Sequence, residues 1–326
     1  MNNAAFWRAV LQRLDVGTPL FVALVVANTR GSPGTLGARL LVDADGNTLG
    51  TIGGGIMEAN LIRAARDGLR AGHDVPPMLE RLEHRNKPGT AHPSGLICAG
   101  EQTNLHCWLK LDRDAAIIRA FCAALAADSG AAATLQIGAD GLRIINDGSV
   151  DGPQLQIDGA RWCYRESSVN PARLVIVGGG HCGKALARLA ADIGYSVDVF
   201  DTRADALGSD ADWPADVRRH LLADYADLPA QLHWPALTTV AVMTAAIAQD
   251  IAALTALADE SLCWLGVMGS AAKIHEIRAQ LAARGIAPAR IDAIHGPIGL
   301  PMKSDTPPEI AVSIMAQLLV ERRAVH

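Results

Sequence analysis

A cysteine set among glycines is the residue of this 326-residue chain that is best placed for chemistry. Cys98 lies in the run Gly-Leu-Ile-Cys-Ala-Gly, residues 95–100, whereas a structural cysteine normally lies inside an apolar strand or helix. A thiolate is a soft metal ligand, and loops carry function more often than cores do. The nearby His92 and Glu101 lack convincing metal-ligand spacing, and we interpret both as solvated loop residues.

Three consecutive glycines, Gly53, Gly54 and Gly55, precede a predicted helix over residues 56–69. Glycines in that position expose successive amides beside the positive end of a helix dipole, which favours a bound phosphate or carboxylate. Glu58 falls in the first helical turn. It would either contact a ligand held by the glycines or complement the helix dipole without any ligand.

A second glycine loop has the spacing of a dinucleotide-binding site. Gly178, Gly180 and Gly183 fit the pattern G-x-G-x-x-G, after a predicted buried strand over 174–177 and at the start of a predicted helix. The first glycine permits a tight turn, the second lets a pyrophosphate approach the backbone, and the third allows close packing of helix on strand. The pattern predicts a Rossmann-like fold, with or without a bound nucleotide.

The residues around this loop leave the nucleotide open. Asp201 follows the second predicted strand and is placed to accept hydrogen bonds from a ribose, which favours NAD, whereas the neighbouring Arg203 would favour the 2′-phosphate of NADP. His181 lies inside the loop and would face phosphate. Cys182 stands at a helix N-terminus, where a thiolate is favoured, but a small side chain filling a tight loop is the preferred interpretation.

The wider pattern predicts an α/β protein of two domains. Residues 1–168 read as a mixed α+β domain of helices and short hairpin strands. Residues 169–326 alternate strands with helices, which predicts a Rossmann-like domain with a parallel sheet. The boundary is placed in the polar segment 166–171.

Composition excludes several classes of protein. The net charge of −5 and the absence of a basic block argue against nucleic acid as a partner. Residues 1–20 lack the apolar core of a signal peptide, and the run over 236–248 is too short to span a bilayer, so we expect a cytoplasmic protein without membrane contact. No Cys-x-x-Cys pair occurs among six cysteines, so a structural zinc site is not expected.

Taken in order, the motifs resemble those of the xanthine dehydrogenase accessory family, XdhC/CoxI. The resemblance covers both domains, although the family typically has Cys-Gly-Gly where this chain has Cys98-Ala99-Gly100. The motifs are Gly31-Ser32, Gly37-Ala38, Gly53-Gly54-Gly55 with Glu58, Cys98-Ala99-Gly100, Val177-Gly178-Gly179-Gly180-His181, Gly266-Val267-Met268-Gly269-Ser270 with Lys273, His295-Gly296-Pro297, and Thr306-Pro307 with Glu309.

The resemblance implies a chaperone that binds molybdenum cofactor, supports its sulfuration with a cysteine desulfurase, and delivers it to an apo molybdenum hydroxylase of the xanthine dehydrogenase type. Cys98 would then hold the molybdenum, and the glycine run with Glu58 would hold the pterin phosphate. The second domain would bind either the dinucleotide form of molybdopterin or NAD(P). A homodimer is expected on base rates.

Two alternatives use the same residues differently. One is an NAD(P)-dependent oxidoreductase acting on a small molecule, and the other is a nucleotide-sensing regulator or scaffold. The chain also departs from the family where members often carry a histidine-bearing segment, since it reads Thr244-Ala245-Ala246-Ile247 there. These departures are consistent with a branch that serves a different molybdenum hydroxylase.

Overall fold

A computed structural model describes residues 3–83, 100–127 and 130–324 of the chain. The chain divides into two compact units, Asn3–Val169 and the residues from Asn170 onward. We call these the amino-terminal unit and the carboxy-terminal unit. Each has its own hydrophobic cores.

The amino-terminal unit mixes helices with antiparallel strands. Its helices are α1 (Asn3–Asp15), α2 (Gly55–Arg70) and α3 (Leu111–Ala127). Its strands are β1 (Leu20–Asn28), β2 (Arg39–Asp43), β3 (Thr48–Thr51), β4 (Met78–Glu83), β5 (Glu101–Leu109), β6 (Thr134–Gly138), β7 (Gly141–Ile145), β8 (Gln154–Asp158) and β9 (Arg161–Ser167). The described strands form two antiparallel sheets, in the orders β3-β2-β1-β5-β4 and β7-β6-β9-β8.

The larger sheet has a core on each face. Successive side chains of a strand point to opposite faces, so β1 contributes to both cores. Val22 belongs to the core that contains Phe6 of α1 and Phe121 of α3. Ala23 belongs to the core that contains Met57 of α2. Helix α2 therefore lies on one face of the sheet, and α1 and α3 lie on the other.

The carboxy-terminal unit has a parallel sheet with crossover helices, as the sequence predicts, and this sheet has five strands. Its strands are β10 (Arg173–Val177), β11 (Ser196–Asp201), β12 (Val217–Leu221), β13 (Thr238–Val242) and β14 (Trp264–Val267). Its helices are α4 (His181–Ile193), α5 (Ala204–Leu207), α6 (Ile247–Ala256), α7 (Ala271–Ala283), α8 (Pro288–Asp292) and α9 (Pro307–Ala324).

The order of the parallel strands, β12-β11-β10-β13-β14, shows where a ligand would bind. The chain builds one side of the sheet from β10 to β12, and then crosses to build the other side with β13 and β14. In such folds ligands occupy the crevice outside the carboxyl ends of the strands, where the order reverses. Here that switch point lies between β10 and β13.

Three of the described strands were not predicted, and all three are edge strands of their sheets. They are β3, β4 and β12. An edge strand is paired on one side only and often carries charged side chains, so it lacks a clear apolar alternation. Arg81 on β4 and Arg218 on β12 are examples of this.

The sequence places Glu166 in a polar linker, and this is wrong. Glu166 lies in β9 and is 2% exposed. Its carboxylate accepts hydrogen bonds from Trp7 Nε1 (3.2 Å), Arg39 Nη1 (3.0 Å) and the Tyr164 hydroxyl (3.0 Å). A charged side chain can be buried where such partners satisfy it, and two of these partners, Trp7 and Arg39, are distant in the sequence.

The predicted start of the last helix is confirmed. The Glu309 carboxylate accepts hydrogen bonds from the backbone amides of Thr306 (2.8 Å) and Asp305 (2.9 Å). These bonds hold the pKa of Glu309 below its ordinary value. The contact is one half of the capping box that the residue types indicate.

Candidate functional site

Segments from three of the sequence motifs meet in the amino-terminal unit at the start of β5. A Cβ on Gly53 would lie 2.8 Å from the amide nitrogen of Gly34, and a Cβ on Gly100 would lie 2.7 Å from that of Ser32. Gly100 also has a φ of 139°, which residues with side chains rarely adopt. The loop of residues 31–34 therefore packs against both glycines so closely that neither position accommodates a side chain.

One buried side chain connects these segments. Gln102 on β5 is 1% exposed, and its Oε1 accepts hydrogen bonds from Ser32 Oγ and from the Gly34 amide, both at 3.0 Å. Its Nε2 donates to the carbonyl of Ile52 (2.9 Å) and to Oδ1 of Asn104 (2.8 Å). Gln102 thus joins the loop that carries Ser32 to the segment that leads into the glycine run.

Sequence reasoning missed Gln102 and the polar row to which it belongs. Gln102, Asn104 and His106 occupy alternate positions of β5 and share the sheet face covered by α2, where they are 1%, 0% and 7% exposed. Nδ2 of Asn104 has no hydrogen-bond partner among the residues that the structure describes. Burial lowers the pKa of His106 to about 4, so this imidazole is neutral at pH 7. The sequence signal that could have indicated this row is the polar residue at every second position of the strand.

The glycine run already holds a carboxylate from its own chain. Oε2 of Glu58 accepts hydrogen bonds from Thr51 Oγ1 (2.6 Å), the Ile52 amide (2.8 Å) and the Gly54 amide (3.1 Å). The structure therefore brings Glu58 and the predicted anion nest together, with Glu58 itself as the anion. An external phosphate would have to displace this carboxylate or bind beside it, and its binding there stays a prediction.

Cys98, the predicted thiolate ligand, lies in the range 84–99, outside the residues that the structure describes. Its proposed contact with molybdenum therefore stays a prediction. Burial raises the pKa of Cys107, and raises that of Cys122 to about 11, so these two thiols are poor candidates for a thiolate at neutral pH. Within 3–83, 100–127 and 130–324, no group of three or more histidine, cysteine or acidic side chains could hold a metal ion.

The second glycine loop has the close contacts that its spacing predicts. Gly178 has a φ of 124°, and a Cβ there would clash with the carbonyl oxygen of Met243 after β13. A Cβ on Gly183 would clash with the carbonyl oxygen of Gly178. A Cβ on Gly180 would meet nothing within 4 Å, so the N-terminus of α4 is open to a ligand at this point.

Asp201 faces the glycine loop, but its oxygens are already occupied. The side chain is fully buried, and Oδ2 accepts hydrogen bonds from the Gly179 amide (2.8 Å) and Arg203 Nη2 (3.0 Å). Oδ1 accepts from the amide (2.9 Å) and Nε (3.1 Å) of Arg203. Burial alone would raise the pKa of Asp201, but the hydrogen bonds from Arg203 and Gly179 outweigh burial and lower it. A ribose would have to compete with Arg203 for this carboxylate.

His181 and Cys182, the two remaining residues of the loop, differ in exposure. His181 is the first residue of α4 and its side chain is exposed, so contact with a ligand at the loop stays a prediction. Cys182 is partly buried against the core that contains Leu186. Burial raises the pKa of Cys182, which favours the interpretation as a packing side chain over a thiolate.

None of the helices in the described part of the chain is long and apolar enough to cross a bilayer. The longest, α9, has 18 residues and carries Glu309, Glu321 and two arginines.

Known proteins that are similar to this chain include one by sequence and one by structure, each over most of the length of this chain. The chain is 27% identical to the uncharacterized protein YqeB of Escherichia coli over 299 residues, which is 92% of this chain and 43% of that protein. The chain thus spans less than half the length of this curated relative. A crystal structure of a xanthine dehydrogenase from Bacillus halodurans superposes with a TM-score of 0.72, covering 99% of this chain and 96% of the other. The two are 22% identical, which shows a shared fold.

Family models match both units of the chain. The model of the XdhC and CoxI family matches residues 14–81, which include the glycine run and Glu58. The model of the XdhC Rossmann domain matches residues 174–318, which include the second glycine loop and Asp201. With both models matched in order along one chain, the protein belongs to the XdhC and CoxI family.

Proposed function

We propose that the protein is a maturation factor that binds molybdenum cofactor as its cargo, supports the sulfuration of that cofactor, and delivers it to an apo molybdenum hydroxylase of the xanthine dehydrogenase type. Family membership supports an accessory role of this kind. The observation that carries the proposal is the meeting of the 31–34 loop, Gly53 and Gly100 around Gln102. These segments build one closely packed site from residues far apart in the sequence.

In the amino-terminal unit, Cys98 is the proposed ligand of the molybdenum. It precedes Gly100 by two residues, and Gly100 is held against the backbone of Ser32. The pterin phosphate is assigned to the glycine run at Gly53, Gly54 and Gly55. Its fit depends on Glu58, whose carboxylate now accepts the amide hydrogen bonds that a phosphate would use.

In the carboxy-terminal unit, the loop with Gly178, Gly180 and Gly183 is the proposed nucleotide site. The open space at Gly180 and the N-terminus of α4 suit a pyrophosphate. Either the dinucleotide form of molybdopterin or NAD(P) has the required group. A ribose contact by Asp201 is part of the proposal and requires Arg203 to move, whereas His181 is exposed and free to face a phosphate.

The proposal also includes the setting in which the protein works. A cysteine desulfurase would supply the sulfur, and the apo hydroxylase would receive the loaded cofactor. We further propose a cytoplasmic homodimer. Sedimentation of the purified chain tests the dimer separately from cofactor binding.

Cofactor retention tests the central claim. The full chain, Cys98→Ser and the control Cys263→Ser are each mixed with isolated molybdenum cofactor and passed through gel filtration, and retained molybdenum and pterin are measured. Cys263 is an exposed cysteine of the carboxy-terminal unit, so its replacement controls for nonspecific thiol binding. We expect near-stoichiometric retention by the wild type and by Cys263→Ser, and loss of retention in Cys98→Ser with unchanged circular dichroism.

The other outcomes discriminate between the hypotheses. Equal retention by all three proteins would keep the chaperone but discard Cys98 as the ligand. No retention by any of them, combined with binding of NADH and its oxidation with a small carbonyl compound, would overturn the proposal in favour of the oxidoreductase.

A further inference from the structure

A buried ion pair lies at the carboxyl edge of the parallel sheet. Asp250, in the first turn of α6, is 0% exposed. Its Oδ1 accepts hydrogen bonds from the amide (3.0 Å) and the hydroxyl (2.7 Å) of Thr244. Its Oδ2 lies 2.5 Å from Nζ of Lys273, which belongs to the first turn of α7. The pair therefore connects the segments that follow β13 and β14.

These residues stand at the switch point of the sheet. Gly178 follows β10 and Thr244 follows β13, the two strands between which the order reverses. A Cβ on Gly178 would lie 3.1 Å from the Cα of Thr244, so the glycine loop and the Thr244 segment are in direct contact. Ligands of doubly wound folds occupy this crevice.

Packing alone is a weak reason for this ion pair. Removing a carboxylate from water costs several kcal/mol, and apolar side chains of similar size often pack equally well or better. The stem of Lys273 runs over Gly269, and 25% of its side chain is exposed. An ammonium has three donors, and the contact of Lys273 with Asp250 Oδ2 is an ion pair rather than one of the described hydrogen bonds. Lys273 stands in the first turn of the helix that follows β14, at the carboxyl edge of the sheet where a ligand would lie.

We propose that Lys273 binds a phosphate group of a nucleotide held at the glycine loop, and that Asp250 is a positioning residue that fixes the lysine. This inference deepens the proposed function, because it rests on the nucleotide site assigned to the carboxy-terminal unit. The chemistry fits a phosphate because Lys273 adds a formal positive charge to a crevice that already has the amides of the α4 N-terminus. Arg203, which follows β11 at the same edge of the sheet, donates to Asp201.

Ligand truncation combined with mutation tests this role. Binding of ADP, CDP and GDP, and of the nucleosides adenosine, cytidine and guanosine, is measured by calorimetry on the full chain. Lys273→Met is compared with Lys273→Arg and with the control Lys303→Met, which removes an exposed lysine of the same unit. We expect Lys273→Met to weaken diphosphate binding about tenfold to a hundredfold, as for one lost charge-assisted hydrogen bond, and to leave nucleoside binding unchanged.

A second variant keeps the test valid if Lys273→Met fails to fold. Lys273→Met leaves Asp250 buried without its partner, whereas the double variant Asp250→Asn, Lys273→Met keeps an acceptor for Thr244 and removes both charges. We expect the double variant to fold and to lose the same preference for diphosphate over nucleoside. We expect Lys273→Arg to retain affinity within a few-fold, because it keeps the positive charge.

The outcomes separate this inference from the proposed function. Diphosphate binding by the folded double variant at wild-type strength would overturn the inference, and so would equal loss of nucleoside and diphosphate binding. Absence of diphosphate binding in the wild type would also overturn it. Molybdenum retention is measured independently, so failure of the chaperone proposal leaves the phosphate result readable. Preference for ADP over CDP and GDP would identify NAD-type ligands rather than a pterin dinucleotide.

Discussion

The glycine run at 53–55 and the glycine loop at 178–183, one in each unit, each lead into a helix. At both loops an acidic side chain of the same chain accepts hydrogen bonds from a glycine amide. At Gly54 the acid is Glu58, which comes from the helix that the glycines open. At Gly179 the acid is Asp201, which comes from the end of the neighbouring strand β11.

The two carboxylates differ in burial and in partners. Asp201 is fully buried and is also paired with the guanidinium of Arg203, whereas Glu58 is partly exposed and has no charged partner among its described contacts. A buried, charge-paired acid is costly to displace, and a partly exposed one is less so. We infer that Asp201 is the harder of the two carboxylates for a ligand to displace, and that Glu58 can yield its amides to a stronger anion.

The largest effect on stability is expected at Gly183, which packs against the backbone of its own loop. Gly183→Ala places a Cβ against the carbonyl oxygen of Gly178, a backbone atom that cannot move aside as easily as the end of a flexible side chain. We expect the free energy of unfolding of the carboxy-terminal unit to fall by about 3 kcal/mol, the upper range for overpacking. Hydrogen exchange of peptides from β10 and α4 measures the change locally.

Gly180→Ala is the matched control for this substitution. A Cβ there meets nothing within 4 Å, and the φ of −68° is accessible to alanine. We expect a change below about 0.5 kcal/mol, the ordinary range for surface substitutions. Equal effects of the two alanines would show that the contact between Gly183 and Gly178 does not determine stability.

The next effect concerns the carboxylate that holds the loop. Asp201→Asn keeps the shape of the side chain but removes the charge and places an NH₂ group against a donor. We expect a loss of about 2 kcal/mol in the free energy of unfolding, typical of hydrogen bonds to a charged group. The exposed Asp192→Asn on α4 is the control and should leave stability unchanged.

Acid titration compares the stability of the wild type with that of Asp201→Asn as the pH falls. The pKa of Asp201 is lowered in the folded protein, so its contribution is complete above the unfolded value of about 4 and is lost as pH falls through the folded pKa. The wild type should therefore lose stability below about pH 4 more steeply than Asp201→Asn. Parallel acid profiles would show that Asp201 does not stabilise the loop through its charge.

The sequence predicts the parts of these sites whose residues are close together along the chain, and it does not predict contacts between distant segments. The glycine loop at 178–183 was predicted because strand, turn and helix follow one another in the chain. The hydrogen bonds of Gln102 were not predicted, because its partners on the 31–34 loop are about seventy residues earlier. The burial of Asn104 likewise depends on α2, which covers that face of the sheet.

The smallest effect on stability is expected at Glu58, the partly exposed carboxylate. Glu58→Gln keeps an acceptor oxygen for the amides of Ile52 and Gly54 but removes the charge beside the α2 N-terminus. We expect a loss of about 0.5–1 kcal/mol, the usual size of a charge–dipole interaction at a helix end. Hydrogen exchange of peptides over residues 51–60 measures it, with the exposed Asp45→Asn as the control.

The same variant tests whether the amino-terminal loop can accept an external anion. If Glu58 competes with a phosphate for the amides, Glu58→Gln should bind inorganic phosphate more tightly than the wild type, by a few-fold, because the repulsion between two anions is removed. Protection of the 51–60 amides by phosphate would then appear in the variant at lower concentration. Absence of phosphate protection in both proteins would show that the glycine run serves only to bind Glu58, and the pterin phosphate would have to be held elsewhere.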